Sequence, residues 1–280
     1  MRRLIVNADD FGFTEDVNEG IVHAFERGIL RSTTLMANGA AFEHAVKLAR
    51  QTPGLDVGVH LTLVDGPSLS QPGRELPATV ARLLLAIRSA WGPTAIEEEC
   101  CAQIEKIRAA GIEPSHVDTH KHTHLFPPVL DAVLRAAKRN GIAWVRRPFD
   151  LPLTATAANT PWKRRLVSRM LGGLSRGFDR RMRAEGLHAT DAFAGFQLTG
   201  FYREPELAGL LRALPEGVTE FMCHPGFCRA PLQAARTRLK LSRVQELEAL
   251  TSDLVLRAAS EAQVEITSFR ALCAAGERAQ

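Results

Sequence analysis

The sequence predicts an α/β fold, a closed or nearly closed (β/α) barrel of about seven parallel strands with an inserted basic amphipathic helical segment. Three observations predict it. Short apolar runs rich in β-branched residues recur at about 3–9, 30–36, 56–63, 115–120, 143–148, 219–225 and 264–269. Helical periodicities fill the intervals, and polar residues suited to chemistry fall at the ends of several runs. Alternating strands and helices imply a parallel sheet with helices outside, and no glycine-rich phosphate loop supports an open doubly wound sheet. At 280 residues the chain is long enough for one such barrel, and it reads as a single domain over 1–280 with an insertion at about 150–190.

In chain order, Leu4-Ile5-Val6 leads into Asn7-Ala8-Asp9-Asp10-Phe11-Gly12. Thr14 is expected to cap a helix with the apolar stripe Val17, Ile21, Ala24 and Phe25, with Glu15 and Asp16 suiting its dipole and Gly28 near its end. Further helices are expected at about 41–50, 79–91, 95–110 stopped by Gly111, 128–140 stopped by Gly141, and 243–262 after the capping-box sequence Ser242-Arg243-Val244-Gln245. The insertion is marked by Pro152, Pro161 and the Thr/Ala-rich stretch 154–160. It continues into a basic helix over 162–183, where eight Lys and Arg residues from Lys163 to Arg183 accompany one acid, Asp179. Leu166, Met170, Leu171, Leu174 and Phe178 recur there at helical spacing, a pattern that suits contact with an anionic membrane or a lipid-like substrate, or packing on the barrel.

Composition excludes several classes. The three apolar residues before Asn7 are too few for a secretory signal, and no later run can cross a bilayer, so a soluble cytoplasmic chain is expected, with peripheral membrane contact through the basic helix. Five cysteines without a CxxC pair read as free thiols. The basic helix carries no interleaved aromatic platform or recognised nucleic-acid-binding motif, so no nucleic-acid partner is expected.

Two adjacent carboxylates at the end of an apolar run are costly unless a cation joins them or one is protonated, so Asp9 and Asp10 read as a site. In strand geometry they point oppositely, and an Asx turn leading to Thr14 is the structural alternative. His60 lies in the apolar strand Val57–Leu63 and needs a partner. The run from His116 to His124 places four histidines at alternating positions, which no single metal could use. A strand ending near His120 makes His120 the best ligand and Asp118 its buried support, with His122 or His124 on the substrate pocket and His116 a solvated or capping residue. Phe11 and Phe196 are expected to line the same pocket. His224, before Pro225-Gly226, ends another strand as a candidate general acid. One aspartate and two histidines around a divalent ion leave positions open for water and substrate; the residue types admit zinc, cobalt, magnesium or manganese.

The set Asn7-Ala8-Asp9-Asp10-Phe11-Gly12, Gly58-Val59-His60-Leu61-Thr62-Leu63, His116-Val117-Asp118-Thr119-His120 and Met222-Cys223-His224-Pro225 resembles the YdjC family of carbohydrate deacetylases over roughly 1–149 and 191–272. The resemblance implies a distorted (β/α) barrel and metal-dependent removal of acetyl groups from N-acetylated sugars. Within the family the basic helix most resembles the branch associated with hopanoid biosynthesis, which implies N-acetylglucosaminyl hopanoid as substrate. The mechanism expected has Asp10, His60 and His120 on the metal, Asp9 as base and His224 as acid. The order of the two aspartates follows other metal-dependent polysaccharide deacetylases by analogy.

Two rival readings remain at the level of sequence. A metal phosphoesterase or amidohydrolase on a similar barrel commonly opens with His-x-His on its first strand, where this chain has Asp-Asp. A non-catalytic sugar-lipid binding protein with a structural metal would need four protein ligands and no spare base. Oligomeric state is not legible.

Overall fold

The computed structural model describes residues 1–152 and 160–276. The elements run β1 (Arg2–Phe11), α1 (Glu15–Arg27), β2 (Ser32–Leu35), α2 (Phe42–Gln51), β3 (Asp56–Leu61), α3 (Val80–Ala86), α4 (Pro93–Ala109), β4 (His116–Thr119), α5 (Pro127–Arg139) and β5 (Trp144–Val145). They continue with α6 (Trp162–Gly172), α7 (Ser175–Glu185), β6 (Ala192–Ala194), α8 (Glu204–Arg212), β7 (Gly217–Cys223), α9 (Ala230–Ala234), α10 (Leu241–Thr251), α11 (Asp253–Glu261), β8 (Val264–Thr267) and α12 (Phe269–Ala274). A 3-10 helix, His120–Leu125, follows β4 directly.

Every strand pairing is parallel, in the order β5-β4-β3-β2-β1-β7-β6, with β8 on the first half of β1. The sheet curls until its edges meet: Trp144 bridges His188, and Asp150 bridges Phe193. The result is the distorted α/β barrel the sequence predicts. All seven sequence-predicted strands are present, and β6 is an addition of three residues, too short to leave a periodic signal.

Layering inside the barrel follows from strand alternation along β1. Ile5 packs at the bottom with Trp144, Val218, Phe269 and Leu272. Two residues on, Asn7 accepts a hydrogen bond from His116 Nε2 at 2.9 Å, and two further on Asp9 enters a charged layer. His116 is therefore not solvated as expected. It is 1% exposed, its ring stacks on Phe269 at 4.0 Å, and it forms the floor of the polar layer. Gly58 makes room for it, since a Cβ there would lie 2.5 Å from His116 Cε1. Leu4, Val6 and Ala8, on the other face, join the main core with Val17, Ile21 and Ala24 of α1.

Several boundaries differ from expectation. Thr14 takes the N-cap position of α1 but its hydroxyl bonds Asp16 Oδ1 at 2.6 Å rather than a backbone N–H. The helix expected over 243–262 divides because Ser252 ends α10 and caps α11, accepting from Val255 N at 3.2 Å. α10 starts at Leu241, so Ser242 caps nothing. The basic helix is two helices, α6 and α7, parted at Gly173 and Leu174. Most of the Thr/Ala-rich stretch, 154–159, lies outside the described residues. Phe178, assigned to lipid contact from its spacing, is 4% exposed and packs edge-on against Phe149 at 5.4 Å. Leu166, Met170 and Leu174 are exposed, and Leu171 is half-buried.

Candidate metal centre and active site

Five strands deliver side chains to one end of the barrel: Asp9 and Asp10 from β1, His60 from β3, His120 just after β4, Arg146 just after β5 and His224 just after β7. This is the C-terminal end of a parallel sheet, where loops leave the chain free to shape a pocket. The two aspartates do not diverge as strand alternation requires. The pairing of β1 with β2 shifts register between Ala8 and Phe11, and Asp10 sits at φ 70. This left-handed turn, tolerated best by Asn and Asp among non-glycine residues, brings both carboxylates to the same pocket.

Asp10 Oδ1 lies 3.3 Å from His60 Nε2 and 3.2 Å from His120 Nδ1, and the two imidazole nitrogens are 3.2 Å apart. The oxygen is buried and accepts no hydrogen bond. A carboxylate oxygen and two imidazole nitrogens converging on one point, with the oxygen unsatisfied, fit a divalent cation. Asp10 Oδ2 is held by Arg243 Nη2 at 2.5 Å. Burial would raise the Asp10 pKa, but Arg243 and the two histidines hold it well below the usual carboxylate range.

His60 is oriented from behind. Asp118 is its register partner across β3 and β4, and its Oδ1 accepts from His60 Nδ1 at 2.6 Å. That leaves Nε2 facing the ligand point. Burial disfavours the imidazolium, yet Asp118 and Asp10 push the His60 pKa up to about 10.

Asp9 has different neighbours. Arg146 donates Nη1 to Oδ2 at 2.8 Å and Nη2 to Oδ1 at 2.7 Å, while its Nε reaches Glu220 Oε1 at 2.7 Å and Nη1 also contacts Asp118. One fully buried guanidinium thus joins three carboxylates. Burial pushes Asp9 up to about 6 against the pull of Arg146. His224 Nε2 stands 3.8 Å from Asp9 Oδ2, and burial takes its pKa down to about 3. The His224 backbone N–H donates to Glu246 Oε2 at 2.6 Å, and Glu246 also accepts from Gly200 N and Tyr202, so the turn is fixed from below.

These groups open into a cavity of about 420 Å³, whose wall includes Phe13, Phe196, His122 and Arg164. Two expected pocket residues lie elsewhere. Phe11 is fully buried in the core, because the register shift turns Phe13 to the cavity in its place. His124 is also fully buried, donating Nε2 to the Arg146 carbonyl at 3.1 Å and accepting from Thr119 Oγ1 at 2.6 Å. His122 takes the wall position instead, because Lys121 and His122 adopt left-handed backbone in the 3-10 helix.

Arg146, Glu220 and Arg243 escaped sequence reasoning. Glu220 carried a signal, a lone acid beside Phe221 and Met222 in an apolar strand. The two arginines were hidden among many others.

A protein-family model described as YdjC-like protein matches residues 3–261. The chain belongs to the YdjC-like family. A carbohydrate deacetylase of Geobacillus stearothermophilus is 32% identical over 277 residues, covering 96% of this chain and 97% of that protein. One from Halalkalibacterium halodurans is 34% identical over 258 residues, covering 89% and 95%. Among solved structures, an Enterococcus faecalis protein described as a cellobiose-phosphate cleavage protein superposes with a TM-score of 0.73 at 25% identity, covering 97% of this YdjC-like chain and 98% of its own.

Proposed function

We propose that this YdjC-like protein is a metal-dependent carbohydrate N-deacetylase that releases acetate and a free amino sugar. Carbohydrate deacetylation is the activity named for relatives that align along nearly the whole chain, and it is the activity of this one. The observation that carries the metal-dependent reading is the division of labour between neighbouring carboxylates. Asp10 faces two histidines, while Asp9 is gripped by Arg146 and lies beside His224.

Asp10, His60 and His120 would hold one divalent ion, of zinc, cobalt, magnesium or manganese type. An ion held there would polarise the acetamide carbonyl and make a water more acidic. Asp9 accepts the water proton at a carboxylate oxygen as the water oxygen bonds to the acetyl carbon. Arg146 keeps that carboxylate aimed at the pocket. His224, neutral until then, receives that proton at Nε2 from Asp9, 3.8 Å away, and gives it to the nitrogen as the C–N bond breaks, while Asp118 holds the His60 ring in place. Phe196 and His122 offer apolar and polar wall to the sugar.

The finer substrate reading is an N-acetylglucosamine linked to a lipid, N-acetylglucosaminyl hopanoid, handled by a cytoplasmic enzyme at the membrane face. It is supported by the basic segment whose helix α6 contributes Arg164 to the pocket wall. Incubating metal-loaded protein separately with N-acetylglucosaminyl hopanoid and N,N'-diacetylchitobiose, with acetate and amine quantified by mass spectrometry, tests it. Turnover of the lipid substrate at least tenfold above the soluble sugar is expected. Turnover of the soluble sugar alone would overturn the lipid reading, and turnover of neither would overturn deacetylation of N-acetylglucosamine.

A further inference from the structure

A surface helix ordinarily buries its apolar stripe and shows water its charges. α6 is built the other way round. The face it turns inward carries Ser168, which donates to Asp150 Oδ2 at 3.1 Å, and Arg164, whose Nε donates to the Phe196 carbonyl at 2.7 Å. The face it turns outward carries Trp162 at 63% exposure, Leu166 at 48%, Val167 at 45% and Met170 at 71%, with Leu174 at 48% just beyond its end. No described residue covers this stripe.

Charge says what does. α6 holds four basic residues and no acid. Arg164 is committed to the pocket wall, and the other three, Lys163, Arg165 and Arg169, are exposed on or beside the apolar stripe. None of the three has an ion pair among the described residues. Arg236 and Arg238 stand on the pocket wall in the same condition, and Arg238 repels Arg164. A second copy of this chain would bring like charge against like charge. An anionic phospholipid surface supplies both what the stripe lacks and what the cations lack, with Trp162 suited to the headgroup level.

We propose that the outward face of α6 seats the protein on an anionic bilayer with the pocket mouth beside the lipid surface. Arg164 fixes the geometry, because the helix whose outer face meets the lipid supplies the pocket wall from its inner face. A lipid-linked sugar then reaches Asp9 and Asp10 while its apolar anchor stays in the membrane. The inference rests on the lipid-linked reading for the substrate, but docking itself is measured without turnover.

The test is co-sedimentation of the full chain with vesicles of phosphatidylglycerol and phosphatidylcholine, or of phosphatidylcholine alone. It compares the natural sequence with the double variants Leu166→Ser with Met170→Ser and Arg165→Gln with Arg169→Gln. The natural protein is expected to bind mixed vesicles, and both variants are expected to bind them roughly tenfold or more weakly, with melting temperature and soluble-sugar turnover unchanged. Binding that is absent, or equal in the variants, would overturn the proposal. So would a dimer of the natural protein in light scattering that the Leu166→Ser, Met170→Ser variant dissolves, since the face would then be a self-interface. Vesicle binding by a natural protein that turns over no N-acetylated sugar would instead count against the deacetylase reading and leave the docking intact.

Discussion

Arg146 holds Asp9 by two parallel hydrogen bonds of 2.8 and 2.7 Å, with the side chains 0% and 4% exposed. The pair separates two carboxylates that are neighbours in sequence. Asp9 is turned toward Arg146 and His224, leaving Asp10 Oδ1 with the two imidazoles while Arg243 holds its other oxygen. A bidentate arginine fixes the plane of its carboxylate as a lysine could not.

Asp9→Asn should retain the metal and lose turnover. The expected fall in kcat is about 10²–10⁴-fold, the usual contribution of a positioned base. Metal content by plasma emission and acetate release on the same sample decide it. A near-normal rate would remove Asp9 from the base role.

Arg146→Met leaves Asp9, Asp118 and Glu220 around an apolar side chain. Removing one partner from a buried ionic cluster costs about 3–5 kcal/mol, read from urea unfolding. Unchanged stability would mean that the three carboxylates are compensated by groups other than Arg146.

His224→Gln separates amide from ester chemistry. An amine leaves only with a proton, whereas 4-nitrophenolate leaves without one. Turnover of an N-acetyl sugar should fall about 10²-fold or more while 4-nitrophenyl acetate hydrolysis changes little. Equal losses on both substrates would assign His224 to binding or metal support.

Acid should destabilise the fold through its buried neutral histidines. Burial lowers His116 and His124 to about 4, whereas an unfolded imidazole titrates near 6.5. Between those values the unfolded chain binds protons that the folded chain refuses. Stability contributed by these two residues is thus complete above roughly pH 6.5 and declines toward pH 4, by about 1.4 kcal/mol per pH unit for each histidine. Urea unfolding at pH 7, 6 and 5 should show a shallower slope in His124→Gln, by about one proton. An identical slope would mean that His124 is already protonated in the fold.

The strands were legible because parallel strands buried on both faces read as continuous apolar runs, and His60, His120 and His224 stood out against them. Backbone irregularity was not legible. Nothing in the residue order tells that Asp10 turns left-handed and so joins Asp9 in one pocket, or that Lys121 and His122 do the same and exchange His124 for His122 on the wall. The helical period at 162–183 was genuine, but the break at Gly173 sends Phe178 into the core while Leu166 and Met170 stay outside. Arg146 and Arg243 become visible only when long-range pairing brings them to Asp9 and Asp10.

Titrating a divalent ion into metal-free protein while following acetate release from N-acetylated sugar addresses the central claim most directly. Turnover should rise in proportion to bound metal and level off at about one ion per chain, the capacity of a single three-ligand site, and Asp10→Ala should neither bind nor turn over. Full acetate release from protein stripped of metal, or equal turnover by Asp10→Ala, would contradict the account.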